Sequence, residues 1–154
     1  MPFWLEFART NPNRQHDIIG LSDTEVVELV TAFRQYGFWR FDLDTGHLFA
    51  TEDISRIFGL EHREGPMNLM EIGARIHPED MPLIMETYER ASADRLTYHN
   101  IYRVKSDVER YKYVRTVGKF RQKAGTAGEV VGITYEFFER RPGVTFFLDE
   151  AQPG

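Results

Sequence analysis

The sequence predicts an α+β domain: a five-stranded antiparallel sheet with several short helices over one face and a flanking helix before it. Three observations carry that expectation. A helix-start signal with a helical-period apolar stripe lies near the N-terminus, in LSDTEVVELVTAFRQYG. Two short aromatic-rich runs, FWRFDLDTGHLFA, are joined by a glycine-containing turn, and three long β-like segments fill residues 96 to 140. At 154 residues and 42% hydrophobic, the chain suits one domain that buries its core without disulfide staples.

Each element has a local reason. Residues 1 to 20 mix Phe3, Trp4 and Phe7 with Asn-Pro-Asn and show no sustained period, so no element is assigned there. Ser22 and Glu25 then stand in the spacing of a capping box, with Leu21 and Val26 placed as a hydrophobic staple. Val26, Leu29, Val30 and Phe33 recur at helical spacing, which predicts an amphipathic helix over 22–36, closed by Gly37. Residues 1–36 thus form an N-terminal extension. From Phe38 two strands follow, with Gly46 supplying the positive φ of a tight hairpin. Thr51 is placed to cap a short helix that runs through Ile54, Ile57 and Phe58 to Gly59, and Asn68 to start another in NLMEIGARI.

The segment IHPEDM sets His77 beside Glu79 and Asp80, which in isolation fits a metal site or an acid/base pair. Proline suits the first helical position, and two acids suit the positive end of a helix dipole, so the residues read as a helix start with His77 at the cap. A metal site would need further ligands in a pattern such as H-x-H or H-E-x-x-H, and neither occurs here. After this helix, LTYHNIYRVK, RYKYVRTVGKFRQK and GEVVGITYEFFER read as strands, and RPGVTFFLDEAQPG as a tail over 142–154.

Composition removes several classes of function. There is no cysteine, so disulfides, zinc-thiolate sites, iron-sulfur clusters, thiol catalysis and cysteine-linked flavins or chromophores are excluded. The N-terminus lacks a basic segment followed by an apolar run, and no stretch reaches about 18 consecutive apolar residues, which predicts a cytoplasmic protein without a membrane span. A net charge of -5 and a pI near 5.6 argue against nucleic acid as a partner.

The tryptophan and aspartate of GFWRFDLDTG, the Ile-Phe-Gly of RIFGL, the IHPED turn, the IYRVK strand and YKYVRTVGKF, in that order, resemble a PAS domain over residues 37–141. The resemblance implies a non-catalytic sensory module for signal transduction. Two departures stand out. Many such modules end in Asp-Ile-Thr followed by Glu-Arg, leading into an effector; here the register reads Glu136-Phe137-Phe138-Glu139-Arg140. With an initiating methionine and only a short tail, the expectation is a stand-alone domain acting non-covalently on a separate kinase or other regulator. Haem-binding relatives place a histidine on the long helix or an adjoining loop, and the helix from Pro78 to Ala93 has none, so haem is not expected and the cofactor is unknown.

Alternation in YHNIYRV places Tyr98, Asn100, Tyr102 and Val104 on one face and His99, Ile101 and Arg103 on the other. The first set reads as inward. An amide among aromatics makes Met85, Tyr88, Asn100 and Tyr102 the candidate lining of a small-molecule site; the alternative is that they fill the core, with Asn100 bonded to backbone. Val26, Leu29, Val30 and Phe33 are the candidate interface of a homodimer, unless they cover their own sheet. A cone-shaped isomerase or dehydratase would draw on His99 with Tyr102 or Tyr88, but alternation sets His99 opposite Tyr102. A ligand-free adaptor would use the tail VTFFLDE to dock on a partner's sheet edge, unless the tail covers this chain's own.

Overall fold

A computed structural model describes residues 5–8, 15–107, 109–137 and 143–148. Helix α1 (Asp23–Thr31) is followed by strands β1 (Tyr36–Asp42) and β2 (Leu48–Ala50), helices α2 (Glu52–Ile57), α3 (Leu69–Arg75) and α4 (Met81–Asp94), and strands β3 (Thr97–Lys105), β4 (Tyr111–Arg121) and β5 (Glu129–Glu136). The five strands form one antiparallel sheet in the order β2-β1-β5-β4-β3. The last strand is therefore central, between the first hairpin and the β3–β4 hairpin. Gly46 turns the first hairpin at φ +74°, and Asp42 Oδ1 accepts the N–H groups of Asp44 and Thr45 beneath it.

The capping box forms at α1: Ser22 Oγ accepts from the Glu25 N–H, and Glu25 Oε1 accepts from the Ser22 N–H, each at 3.1 Å. The helix is shorter than the expected 22–36. It stops at Thr31, Ala32 turns to ψ 138°, Phe33 lies at φ +60°, and Tyr36 is already in β1. Gly37 is a strand residue rather than a helix stop; a Cβ there would press on Ile54 of α2. Thr51 also differs from expectation. It sits at the N-cap of α2 but caps nothing; its hydroxyl accepts the Phe38 N–H at 3.0 Å instead. Asn68 Oδ1 caps α3 through the N–H groups of Met70 and Glu71.

His77 is the N-cap of a 3-10 turn (Pro78–Asp80) that leads into α4, its Nδ1 accepting the Glu79 N–H at 3.1 Å. Asp80 does more than complement a dipole. Its carboxylate accepts the Arg103 backbone N–H at 2.8 Å and the Arg103 guanidinium at 3.0 and 2.7 Å, tying the start of α4 to β3. Burial of this carboxyl favours the neutral acid, but the Arg103 hydrogen bonds and charge outweigh it and hold its pKa below the ordinary value of 3.8.

The core lies between one face of the sheet and the helices α2 and α3, where Ile54, Ile57, Phe58, Ile72, Ile76, Tyr102, Val104 and Val114 pack together. Helix α1 contributes no buried residue. Its apolar stripe therefore does not cover the sheet, and Phe33 instead stacks on Phe147, with ring centroids 3.8 Å apart. The expected strand end at Glu139 and Arg140, and the tail from Asp149 on, lie outside the described residues.

Candidate functional site

Helix α4 crosses the same face of the sheet beyond the packed core. Between them lies a cavity of about 550 Å³, within the size range of small-molecule sites. Its floor follows from residue size. Gly118 on β4 pairs with Gly132 on β5, and the rings of Tyr98 and Trp39 lie across them: a Cβ on Gly118 would stand 2.7 Å from Tyr98 Cζ, and one on Gly132 would meet the Trp39 indole. Both rings therefore reach across to the neighbouring strand and cover its glycine. The roof is the inner side of α4, where Met81, Ile84, Tyr88 and Ser92 recur at helical spacing.

Four strands contribute a continuous polar chain to the floor. The Trp39 indole N–H donates to Thr134 Oγ1 at 3.1 Å; Thr134 and Thr116 hydroxyls lie 2.7 Å apart, and Thr116 and Tyr102 hydroxyls 3.0 Å apart. The three hydroxyls share two contacts, so one hydroxyl hydrogen has no acceptor among the described residues. Three more polar atoms at the cavity are buried without a hydrogen-bond partner among the described residues: Tyr88 Oη, Ser92 Oγ and Asn100 Oδ1. Burial raises the pKa of the Tyr88 phenol, with the adjacent Tyr98 adding to it, and burial likewise raises Tyr98 and Tyr102. All three phenols are therefore neutral donors at physiological pH, not bases.

The expected alternation on β3 is seen. Asn100 (8% exposed), Tyr102 and Val104 are buried on the inner face, and Tyr98 is half-buried there. All four candidate ligand residues, Met85, Tyr88, Asn100 and Tyr102, line the cavity. Met85 is 55% exposed and, with Glu89 on α4 and Leu69 on α3, belongs to the rim rather than the interior. Trp39, Ser92, Thr116 and Thr134 are site residues that sequence reasoning missed. His99 lies on the outer face, where Arg115 Nε stands 3.4 Å from its Nδ1, so the fold does not bring it to Tyr102 or Tyr88. Among the described residues the cavity lining includes no histidine, lysine or arginine, and its one carboxylate, Glu89, is exposed.

On the dimer candidates, Val26 is half-buried, Leu29 and Val30 are 66% and 63% exposed, and Phe33 is held by the Phe147 stack. The outer sheet face exposes Phe38, Ile101 and Tyr113. Among the described residues no helix is long and apolar enough to cross a membrane.

Comparison with known proteins agrees with this architecture. The chain is similar to a histidine-kinase domain from Haloarcula marismortui, with 23% identity over 75% of this chain and 100% of the other, at a TM-score of 0.60. It is similar to a sensory box histidine kinase/response regulator from Burkholderia thailandensis (22% identity, 71% and 82% covered, TM-score 0.55). It is also similar to the N-terminal domain of a diguanylate cyclase with PAS/PAC sensor from Marinobacter aquaeolei (17% identity, 66% and 94% covered, TM-score 0.55). At these identities the likeness is one of fold. No curated protein matches. A family model described as the PAS fold matches residues 47–134, more than half of the sequence. With the strand order, the helical clamp and this match together, the chain belongs to the PAS-fold family.

Proposed function

We propose that the chain is a non-catalytic, cytoplasmic sensor module that takes a small molecule between α4 and the sheet and relays its occupancy non-covalently to a separate kinase or other regulator. One observation carries this reading: Tyr88 Oη, Ser92 Oγ and Asn100 Oδ1 are buried at one cavity with no partner among the described residues. A buried polar group without a hydrogen bond destabilises a protein by about 1–3 kcal/mol, so three at one site argue that something else supplies the partners. Met85, Tyr88, Asn100 and Tyr102 are the ligand-binding residues of this proposal. The fold relatives come from histidine kinases and a diguanylate cyclase, which supports a regulator of that kind.

The same module works as a homodimer in this reading, through Val26, Leu29, Val30 and Phe33. The support is that α1 has no fully buried residue and presents Leu29 and Val30 to solvent, and that the outer sheet face exposes Phe38, Ile101 and Tyr113. The adaptor reading has its own support in the exposed side chains of Val144, Phe146 and Leu148.

Native mass spectrometry of the purified chain, before and after equilibration with a metabolite extract, tests the first part. A mass adduct that disappears on denaturation is expected, and a bare chain under both conditions would favour the adaptor. Sedimentation of wild type and Val30→Glu tests the second: the wild type is expected to sediment as a dimer and the variant as a monomer of unchanged stability.

A further inference from the structure

The ligand-binding reading just given leaves the chemistry of the ligand open, and the cavity restricts it in three independent ways. The first is charge. Among the described residues the lining includes no lysine, arginine or histidine, and its one carboxylate, Glu89, is exposed. A buried anion would have no countercharge, and moving an ionised group out of water without one is strongly unfavourable. A cation would meet only Glu89, at the solvent side. The interior therefore selects against both signs.

The second restriction is shape. The Tyr98 and Trp39 rings lie over the paired glycines Gly118 and Gly132, so the deep wall is aromatic. Opposite them, α4 presents Ile84 and Tyr88, and Phe41 meets Tyr88 edge-on at 4.8 Å. Among four aromatic side chains, Trp39, Phe41, Tyr88 and Tyr98, a planar ring finds stacked or edge-to-face partners that a saturated body does not.

The third is the pattern of donors and acceptors. The Tyr88 and Ser92 hydroxyls are one helical turn apart on α4 and without partners among the described residues, and the Tyr102–Thr116–Thr134 chain has one hydroxyl hydrogen to spare. Against these three donors, Asn100 Oδ1 is the one buried acceptor-only side-chain atom of the lining that lacks a partner among the described residues.

From these we infer that the cavity takes a neutral, planar heteroaromatic molecule that carries at least one carbonyl-type acceptor for Tyr88 and Ser92 and one N–H for Asn100 Oδ1. The inference rests on the ligand-binding reading but fails separately from it.

Three bicyclic probes of similar size separate the terms: 2-quinolone, which is neutral with an N–H beside a carbonyl; N-methyl-2-quinolone, which keeps the carbonyl and lacks the N–H; and naphthalene-2-carboxylate, an anion. Binding to the full ¹⁵N-labelled chain is followed through the Trp39 indole N–H signal, assigned with Trp4→Phe, and by calorimetry. The expected order is 2-quinolone tightest, the other two about tenfold weaker or more, as the loss of one buried hydrogen bond or the burial of an unpaired charge requires. Asn100→Ala is expected to bring 2-quinolone to within about threefold of its methylated analogue while leaving that analogue's affinity unchanged. The methylated probe tests the same contact on the unaltered chain, so an Asn100→Ala protein that fails to fold leaves the test intact. A carboxylate bound as tightly as 2-quinolone, or a methylated probe equal to it, overturns the inference and leaves ligand binding standing. If none of the three perturbs the Trp39 signal up to millimolar concentration, the inference falls, and the native mass spectrometry above decides the ligand-binding reading on its own.

Discussion

Thr134→Val removes one oxygen from the floor of the cavity at nearly constant shape and interrupts the polar chain that crosses four strands. Thr134 is 2% exposed, and its hydroxyl accepts the Trp39 indole N–H at 3.1 Å while contacting Thr116 at 2.7 Å. Valine leaves that indole N–H without an acceptor. The Thr116 hydroxyl keeps Tyr102 at 3.0 Å and is not orphaned. The expected loss is therefore that of one buried unsatisfied donor, about 2 kcal/mol. For a domain of this size each kcal/mol moves Tm by about 2–4 °C, so a fall of about 4–8 °C follows. Urea unfolding should show a lower midpoint at unchanged slope, because the same surface is exposed. A double-mutant cycle with Trp39→Phe isolates the bond: when the indole has already been replaced in this way, Thr134→Val should lose about 1 kcal/mol less than in wild type. A Thr134→Val protein within about 0.5 kcal/mol of wild type, with an unshifted indole signal, would show that the indole finds another acceptor and that the chain does not carry the weight given to it.

Other perturbations discriminate as sharply. Tyr88→Phe deletes a buried hydroxyl that has no partner among the described residues, so the ligand-free protein should be stabilised by up to about 1 kcal/mol while affinity for a carbonyl-bearing probe falls; thermal melts with and without 2-quinolone read both signs. Asp80→Asn should destabilise by about 1.5–3 kcal/mol near neutral pH through its hydrogen bonds to Arg103. Because the Asp80 pKa is lowered in the fold, its contribution is complete above the ordinary value of 3.8 and disappears as pH falls through the lower folded value. The gap between wild type and Asp80→Asn in denaturant midpoint should accordingly close on acidification. Gly118→Ala displaces the end of a side chain, Tyr98, and should fold at a loss of about 1 kcal/mol with a smaller cavity, whereas Gly132→Ala drives a methyl into the Val117 carbonyl as well as Trp39 and should lose about 3 kcal/mol or more. Urea midpoints of the two rank them.

What is legible in the sequence is what is decided locally. The capping box at Ser22 and the His77 cap each involve groups three residues apart or fewer, and the inner and outer rows of β3 follow from a period of two. Expectation and structure part where a distant segment takes the group over. Thr51 is a good cap residue by type, but Phe38 across the hairpin claims its hydroxyl. Asp80 belongs at a helix start by type, but Arg103 claims its carboxylate. Helical period continues past Thr31 to Phe33, yet the chain must turn to enter β1 at Tyr36, and Phe33 takes a left-handed conformation against Phe147. Thr116 and Thr134 are hidden for a related reason: neither is informative until the register is known. A faint signal is present, because Thr116-Val117-Gly118 and Gly132-Ile133-Thr134 are mirror images and pair residue for residue when the strands run antiparallel.

That mirrored pair also explains why a cavity exists where a core would otherwise close. Midway along, the inner row of β4 reads Val114, Thr116, Gly118 and that of β5 reads Val130, Gly132, Thr134, so these two adjacent interior strands hold nothing larger than valine there; the larger residues of the same rows, Lys112, Phe120 and Glu136, stand at the strand ends. Under α2 and α3 the deficit is filled by Ile54, Ile57, Phe58, Ile72 and Ile76. Under α4 it is not: Trp39 and Tyr98 fold down from the neighbouring strands over the glycines, and the space above them is left to the cavity. In a floor built for stability alone, with residues smaller than Trp39 and Tyr98 beside them, branched aliphatics at these four positions would fill the space, each buried methyl group worth about 0.8 kcal/mol. A floor that forgoes this gain, and then needs a hydroxyl chain ending on an indole to satisfy its threonines, is poorly explained by stability. It is well explained by a requirement for room and for hydrogen bonds facing into it, which is the requirement a bound molecule imposes.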